Sequence, residues 1–310
     1  MTNLRALLVE GVFHWGYSVR LISESAAAQQ YLVPPPSTLI GALAFSLNLL
    51  KDFPEFAEIR TGQQRARGGG HRSGVEEETE LMSGAARLLN VVRWATFAFS
   101  DELSVSGRAF AVGYSDFIRC FRLIYQRGIR HRWEDYDMWY GIGAHGKVYA
   151  CGAGFKILYL VDLGSAKERG IEKIDLLQAS LSITRLGAKE GLVSIRGASF
   201  SDRLDLLEPS KAGHIVTEYY FPRELAEDYD GGQVCPLPRL SEELWKVRPS
   251  IPPALHEHEE FVIPGGRGSI LQPGRILVTR VAPGKAFVVR ATFGERVETI
   301  LVPKAVISSD

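Results

Sequence analysis

Along this chain the apolar positions keep two rhythms, alternation and helical spacing, broken by proline and glycine. Leu4 to Leu21 alternates β-branched and aromatic residues with polar ones around Gly11 and Gly16, which predicts a strand bent or bulged at those glycines. Ser23 to Gln30 is small and polar and reads as a loop. Pro34, Pro35 and Pro36 forbid helix before Ser37. Ser37 or Thr38 then caps a helix to about Lys51, with Leu39, Leu43, Leu47 and Leu50 on one face and Pro54 closing the run. Thr61 to Ser83 has no apolar face to anchor it. Gly68, Gly69 and Gly70 are flanked by Arg65, Arg67, His71 and Arg72 and followed by Glu76, Glu77, Glu78 and Glu80, so a flexible insertion is expected near 60–83. Strand patterns return at Val91 to Phe99, Ala109 to Tyr125 and Lys147 to Asp162. Ile171, Ile174, Leu177 and Leu181 predict a helix over Ile171 to Ser182, and Leu192 to Arg196 a further short strand.

From about Leu206 the pattern turns irregular, with Pro236, Pro238, Pro249, Pro252, Pro253 and Pro264. It ends in three short strands, Arg275 to Ala282, Ala286 to Phe293 and Thr299 to Val306, separated by turns and expected to form a small antiparallel meander. The order of elements implies an α+β protein. A ferredoxin-like core with insertions occupies 1–205, and a Pro-rich linker with a small antiparallel β-rich C-terminal lobe occupies 206–310.

Composition adds constraints. With 310 residues, 45% of them hydrophobic and 23% charged, the chain has the profile of a folded globular protein. Its apolar runs fall short of the roughly 20 residues that span a bilayer, and its first residues lack the pattern of a signal peptide. Cys120, Cys151 and Cys235 are scattered and outside any CxxC pattern, which suits a reducing, cytoplasmic compartment without structural zinc. Scarcity of Met, Cys and Asn points to a heat-loving source. The formal net charge of zero argues against general attraction to nucleic acid. However, 26 of the 36 basic residues are Arg, whose planar fork grips phosphate and stacks on rings locally.

The first chemical candidate is Tyr31-Leu32-Val33-Pro34-Pro35-Pro36-Ser37-Thr38-Leu39-Ile40-Gly41-Ala42-Leu43. Its helix opens with free backbone N–H groups that favour an anion; equally, it is a well-made helix start with Gly41 allowing close packing. Following a strand and a loop, this stretch resembles the start of the CRISPR-associated Cas-five family of the RAMP superfamily. The segment Arg185-Leu186-Gly187-Ala188-Lys189-Glu190-Gly191-Leu192-Val193 is similar to that family's glycine-containing segment with a Lys-Glu pair. Length and the Pro-rich C-terminal part resemble the archaeal type I-A branch. The resemblance implies a non-catalytic, cofactor-free subunit of a type I Cascade complex in antiviral defence. Such a subunit binds the 5′ handle of CRISPR RNA beside a backbone subunit of the Cas-seven family and a large subunit. Gly187 would let RNA approach closely while Arg185 and Lys189 neutralise phosphates; the alternative is a solvated helix end.

Arg119, Arg122, Arg127, Arg130 and Arg132 interleave with Phe117, Phe121, Tyr125 and Trp133. That mixture suits single-stranded RNA, a strand with core aromatics and surface arginines, or a protein interface. The Gly-rich excursion with Arg65, Arg67, His71 and Arg72 corresponds to the family's thumb hairpin over the RNA, although its strand character is weak, or else to a solvated loop. An enzyme that cuts RNA needs a base, an acid and a cation. Tyr140, His145 and Lys147 offer that set, with glycines making His145 an exposed loop residue; a structural histidine is the other reading. His256 and His258, with Glu257, Glu259 and Glu260, suit a metal or, as expected here, a solvated acidic loop with no metal. A structural adaptor that binds only protein is a further reading of the whole chain. No phosphate-loop, dinucleotide or serine-hydrolase motif occurs.

Overall fold

The computed structural model describes residues 3–19, 30–61, 78–121, 140–188, 191–246 and 257–307. The chain is mixed α/β, mostly strands in several antiparallel sheets with few helices. Six elements position the site: β1 (Leu4–Phe13), α1 (Pro36–Leu50), β2 (Val92–Ser100), β3 (Gly154–Asp162), α2 (Lys173–Leu181) and β4 (Val193–Phe200). The strands make one antiparallel sheet in the order β2–β3–β1–β4. β3 is buried at every residue, as its near-continuous apolar run requires of a strand covered on both faces. The expected bulge is present: the β1–β4 register shifts between Glu10 and Gly11. A Cβ on Gly11 would meet the Ser194 carbonyl oxygen at 2.9 Å, so the kink needs a glycine.

α1 begins two or three residues earlier than a cap at Ser37 or Thr38 would place it. Pro35 occupies the N-cap and Pro36 the first helical position, where a fixed φ and a missing N–H suit the helix start. The Pro35 carbonyl accepts from the N–H groups of Thr38 and Leu39. Leu39, Leu43 and Leu47 are fully buried, whereas Leu50, at the helix end, is exposed. The proline segment has few N–H groups of its own, and its carbonyls are held by tyrosines from three distant places. Tyr17 donates to the Leu32 carbonyl, Tyr159 of β3 to that of Leu39 at 2.8 Å and Tyr220 to that of Pro34 at 3.0 Å. Burial raises the pKa of all three phenols, which keeps them neutral donors.

Several expectations are corrected. α2 is shorter than predicted and buries Leu176, Ala179 and Ser180, while Ile174 and Leu181 are exposed. Burying Ser180 is tolerated because its hydroxyl donates to the Leu176 carbonyl at 2.8 Å. The run expected as one strand from Lys147 is two: Tyr140–Tyr149 and β3, joined by a turn at Cys151 and Gly152. The flanks of the Gly-rich excursion are strands, Phe56–Thr61 and Glu78–Ser83, paired from Phe56–Ser83 to Thr61–Glu78. Met82 is buried and anchors their base.

Among the described residues after Leu206 most of the chain forms strands rather than an irregular passage, while Pro249, Pro252 and Pro253 lie outside those residues. Gln233–Pro238 and Phe221–Pro222 flank His258–Ile263, and their prolines are tolerated because both are edge strands. The three last strands form no single meander. Ile276–Val281 pairs with Ile215–Thr217 and Ala226–Asp230, whereas Ala286–Phe293 pairs with Arg296–Pro303 and Arg203–Leu207. One hydrophobic cluster draws on residues from Leu4 to Val302, and a second lies wholly between Ala212 and Leu301.

A buried ion network joins the core sheet to these later strands. Lys156 of β3 lies 2.7 Å from Glu218 and 3.1 Å from Glu298, and Arg296 links Glu298 to Glu10. Burial alone would raise the Glu218 carboxyl, but Lys156 and Arg275 together hold it below the ordinary value. Among the described residues no helix is long and apolar enough to cross a membrane.

Candidate functional site

The two stretches that carry the family resemblance meet in one groove of about 770 Å³. Its lining includes Thr38, Gly41, Ala42 and Phe45 from one face of α1, and Thr184, Arg185, Gly187 and Ala188 from the loop between α2 and β4. Ser83 to Ala85 and Trp245 complete it. The buried indole N–H of Trp245 has no hydrogen-bond partner among the described residues.

The loop is tied down by backbone bonds. Val193 donates to the Thr184 carbonyl at 2.9 Å, Leu186 to that of Gly191 at 2.8 Å, and Ala188 to that of Ser18 at 2.9 Å. Gly187 has φ +80°, and a Cβ there would lie 2.7 Å from the Ser18 carbonyl oxygen. Its glycine is therefore required by packing against the chain itself. Gly41 behaves in the opposite way. Among the described residues nothing lies within 4 Å of the position a Cβ would take, so none of them packs closely on it.

Arg185 is placed by a ring. Its guanidinium carbon stands 4.4 Å from the centroid of Phe45, a cation–π arrangement, and Phe45 remains 42% exposed. Among the described residues no carboxylate lies within ion-pairing distance of Arg185. A flat cation fixed on a half-open ring, with no carboxylate beside it among the described residues, suits an anion and a planar partner together. Phe45 escaped the sequence reading because it lies off the Leu39–Leu43–Leu47 stripe; its signal is an aromatic residue one turn beyond Gly41 on the outer face.

The other expected residues are placed as follows. Arg119 lies on the strand Ala111–Phe121, which pairs with Tyr140–Tyr149 in a long hairpin. Tyr140, His145 and Lys147 are thus on a strand, not in an exposed loop. In the ladder Tyr140 pairs with Phe121, His145 with Asp116 and Lys147 with Tyr114. Arg122, Arg127, Arg130 and Arg132 between these strands lie outside the described residues. So do Arg65, Arg67, His71 and Arg72, between the strands of the shorter hairpin, as well as Lys189 and His256. His258 stands on the strand His258–Ile263 rather than in a loop, its Nε2 2.8 Å from the Tyr31 hydroxyl. Burial pushes the Tyr31 phenol up to about 12. Among the described residues no group of three metal-ligating side chains converges.

Three proteins of Saccharolobus solfataricus are similar to the chain. CRISPR-associated protein Cas5 2 is 25% identical over 248 residues, 80% of each protein. CRISPR-associated protein Cas5 3 is 28% identical over 208 residues, 67% of this chain and 68% of its own. The CRISPR system aCascade subunit Cas5 1 is 27% identical over the same share. The chain is thus similar to Cas5 proteins over most of its length. No protein-family model matches the chain. A crystal structure of a CRISPR protein from Archaeoglobus fulgidus aligns with 96% of this chain and 99% of its own, at 17% identity and a TM-score of 0.47, too loosely to bear on the fold.

Proposed function

We propose that this chain binds the 5′ handle of CRISPR RNA in the groove between α1 and the Arg185–Ala188 loop, as a non-catalytic subunit of a type I, specifically I-A, Cascade complex. The observation that carries the reading is Arg185, stacked on Phe45 and free of any carboxylate among the described residues, in a groove lined by both family-like stretches. Single-stranded RNA offers the matching chemistry of phosphate anions beside flat bases. Similarity to Cas5 proteins and the description of one relative as an aCascade subunit support the complex. Its neighbours would be a Cas-seven backbone subunit and a large subunit.

The core is read as ferredoxin-like. The succession β1–α1–β2–β3–α2–β4, with sheet order β4–β1–β3–β2, supports this. The second hydrophobic cluster supports a C-terminal lobe after residue 205. The long hairpin from Ala111 to Tyr149 is a better candidate for the RNA-reaching thumb than the Gly-rich segment, since eleven and ten residues form its two strands.

The test is fluorescence anisotropy with a labelled handle RNA at several salt concentrations. Arg185→Ala is expected to weaken binding by about tenfold or more and to lower the salt slope by about one. If the wild-type chain, alone or with its backbone partner, shows no salt-sensitive affinity, the protein-adaptor reading replaces this one. Specific cleavage of repeat RNA in EDTA that is lost in His145→Ala would replace it with the nuclease reading.

A further inference from the structure

A glycine inside a helix lowers stability because it loses more backbone freedom on folding than any other residue. It is usually explained by a neighbour that leaves no room for a Cβ. Gly41 has no such neighbour among the described residues, and lies in the middle of the fifteen-residue α1. Its bare stretch of backbone lines the same groove as Phe45, one turn on, and Arg185. Among the described residues, the space above Gly41 thus serves no packing of the chain's own.

We propose that this clearance admits one unstacked nucleotide. Its base stacks on the outer face of the Arg185 guanidinium, which Phe45 backs, and its sugar and phosphate cross α1 at Gly41. The inference rests on the RNA reading above and adds to it a subsite for a single base. The physics of each part is ordinary. A guanidinium backed by a ring keeps one planar face for a base while its edge N–H groups donate to phosphate oxygens. A splayed base is how proteins reach single-stranded RNA. Side chains at position 41 would project into that path, whereas the folded chain has room for them.

The test combines Gly41→Leu and Phe45→Leu with handle RNAs made abasic at one position at a time. Gly41→Leu is expected to fold with an unchanged or higher Tm and to bind the intact RNA at least tenfold more weakly. Gly41→Ala should raise Tm with a smaller loss of binding. One abasic position should weaken wild-type binding, and at that position Phe45→Leu should add no further loss, because both changes remove the same stacking contact. If Gly41→Leu and Phe45→Leu bind as wild type does while Arg185→Ala still weakens binding, the groove takes phosphate only and the base subsite is overturned. If Gly41→Leu keeps RNA affinity but fails to assemble with the other subunits, the occupant is protein and the inference falls. A wild-type chain without RNA affinity would instead remove the reading on which it rests.

Discussion

Replacing Lys156 by Met keeps the length of the side chain and removes its charge from the network between β3 and the later strands. The side chains of Lys156 and Glu298 are 8% and 6% exposed, so solvent screens little of their interaction. Breaking a buried pair by deleting one partner costs about 3–5 kcal/mol, since the remaining charge stays buried and under-compensated. Here Arg296 remains 3.2 Å from Glu298, which places the expected loss near the lower end, about 3 kcal/mol. At about 2 °C per kcal/mol for a chain of this size, Tm should fall by about 6 °C. The double change Lys156→Met with Glu298→Leu exchanges the pair for apolar packing and leaves Arg296 with Glu10, 2.8 Å away. It should return to within about 1 kcal/mol of wild type. Urea unfolding of the three proteins and their calorimetric Tm values measure this. A Lys156→Met protein within about 1 kcal/mol of wild type, or a double variant no more stable than the single one, would refute the reasoning.

Gly187→Ala should destabilise the chain by about 1–3 kcal/mol, because its backbone is in the left-handed region and the Ser18 carbonyl oxygen leaves no space. An unchanged denaturation midpoint would show that the loop is not held as described. Acid should weaken the fold through Glu218, whose folded pKa lies below the ordinary carboxylate value. Its contribution is fully present above that ordinary value and is lost as pH falls through the folded one. Urea midpoints measured from neutral pH downward should therefore fall more steeply for wild type than for Glu218→Gln, and parallel curves would count against the network.

The elements that follow from local rules were legible. Three prolines before an apolar run announce α1, β1 shows its bulge as Gly11, and β3 lies within a run that reads as strand. What depends on distant partners was not. The strand Tyr140–Tyr149 reads as a loop because Gly141, Gly143 and Gly146 are poor strand formers. Gly146 is nevertheless needed, since a Cβ there would collide with Gln30. The prolines of Gln233–Pro238 suggest irregularity until its place at a sheet edge is known. Within the site, Arg185 and Gly187 stood out by motif, but the packing role of Gly187 was not legible, since only the fold brings Ser18 against it. Phe45 was invisible for the same reason: nothing local says that Arg185 will lie across its ring.

The tyrosines that hold the proline segment have a consequence for synthesis. Tyr17 and the segment leave the ribosome early, but Tyr220 follows Pro34 by 186 residues. Until it arrives, the Pro34 carbonyl can be satisfied only by water, and the entry to α1 is held at fewer points. Contacts of such long sequence separation form late, after the entropy of closing the intervening loop has been overcome. The groove is therefore completed near the end of folding, and a truncated or half-made chain lacks its finished surface.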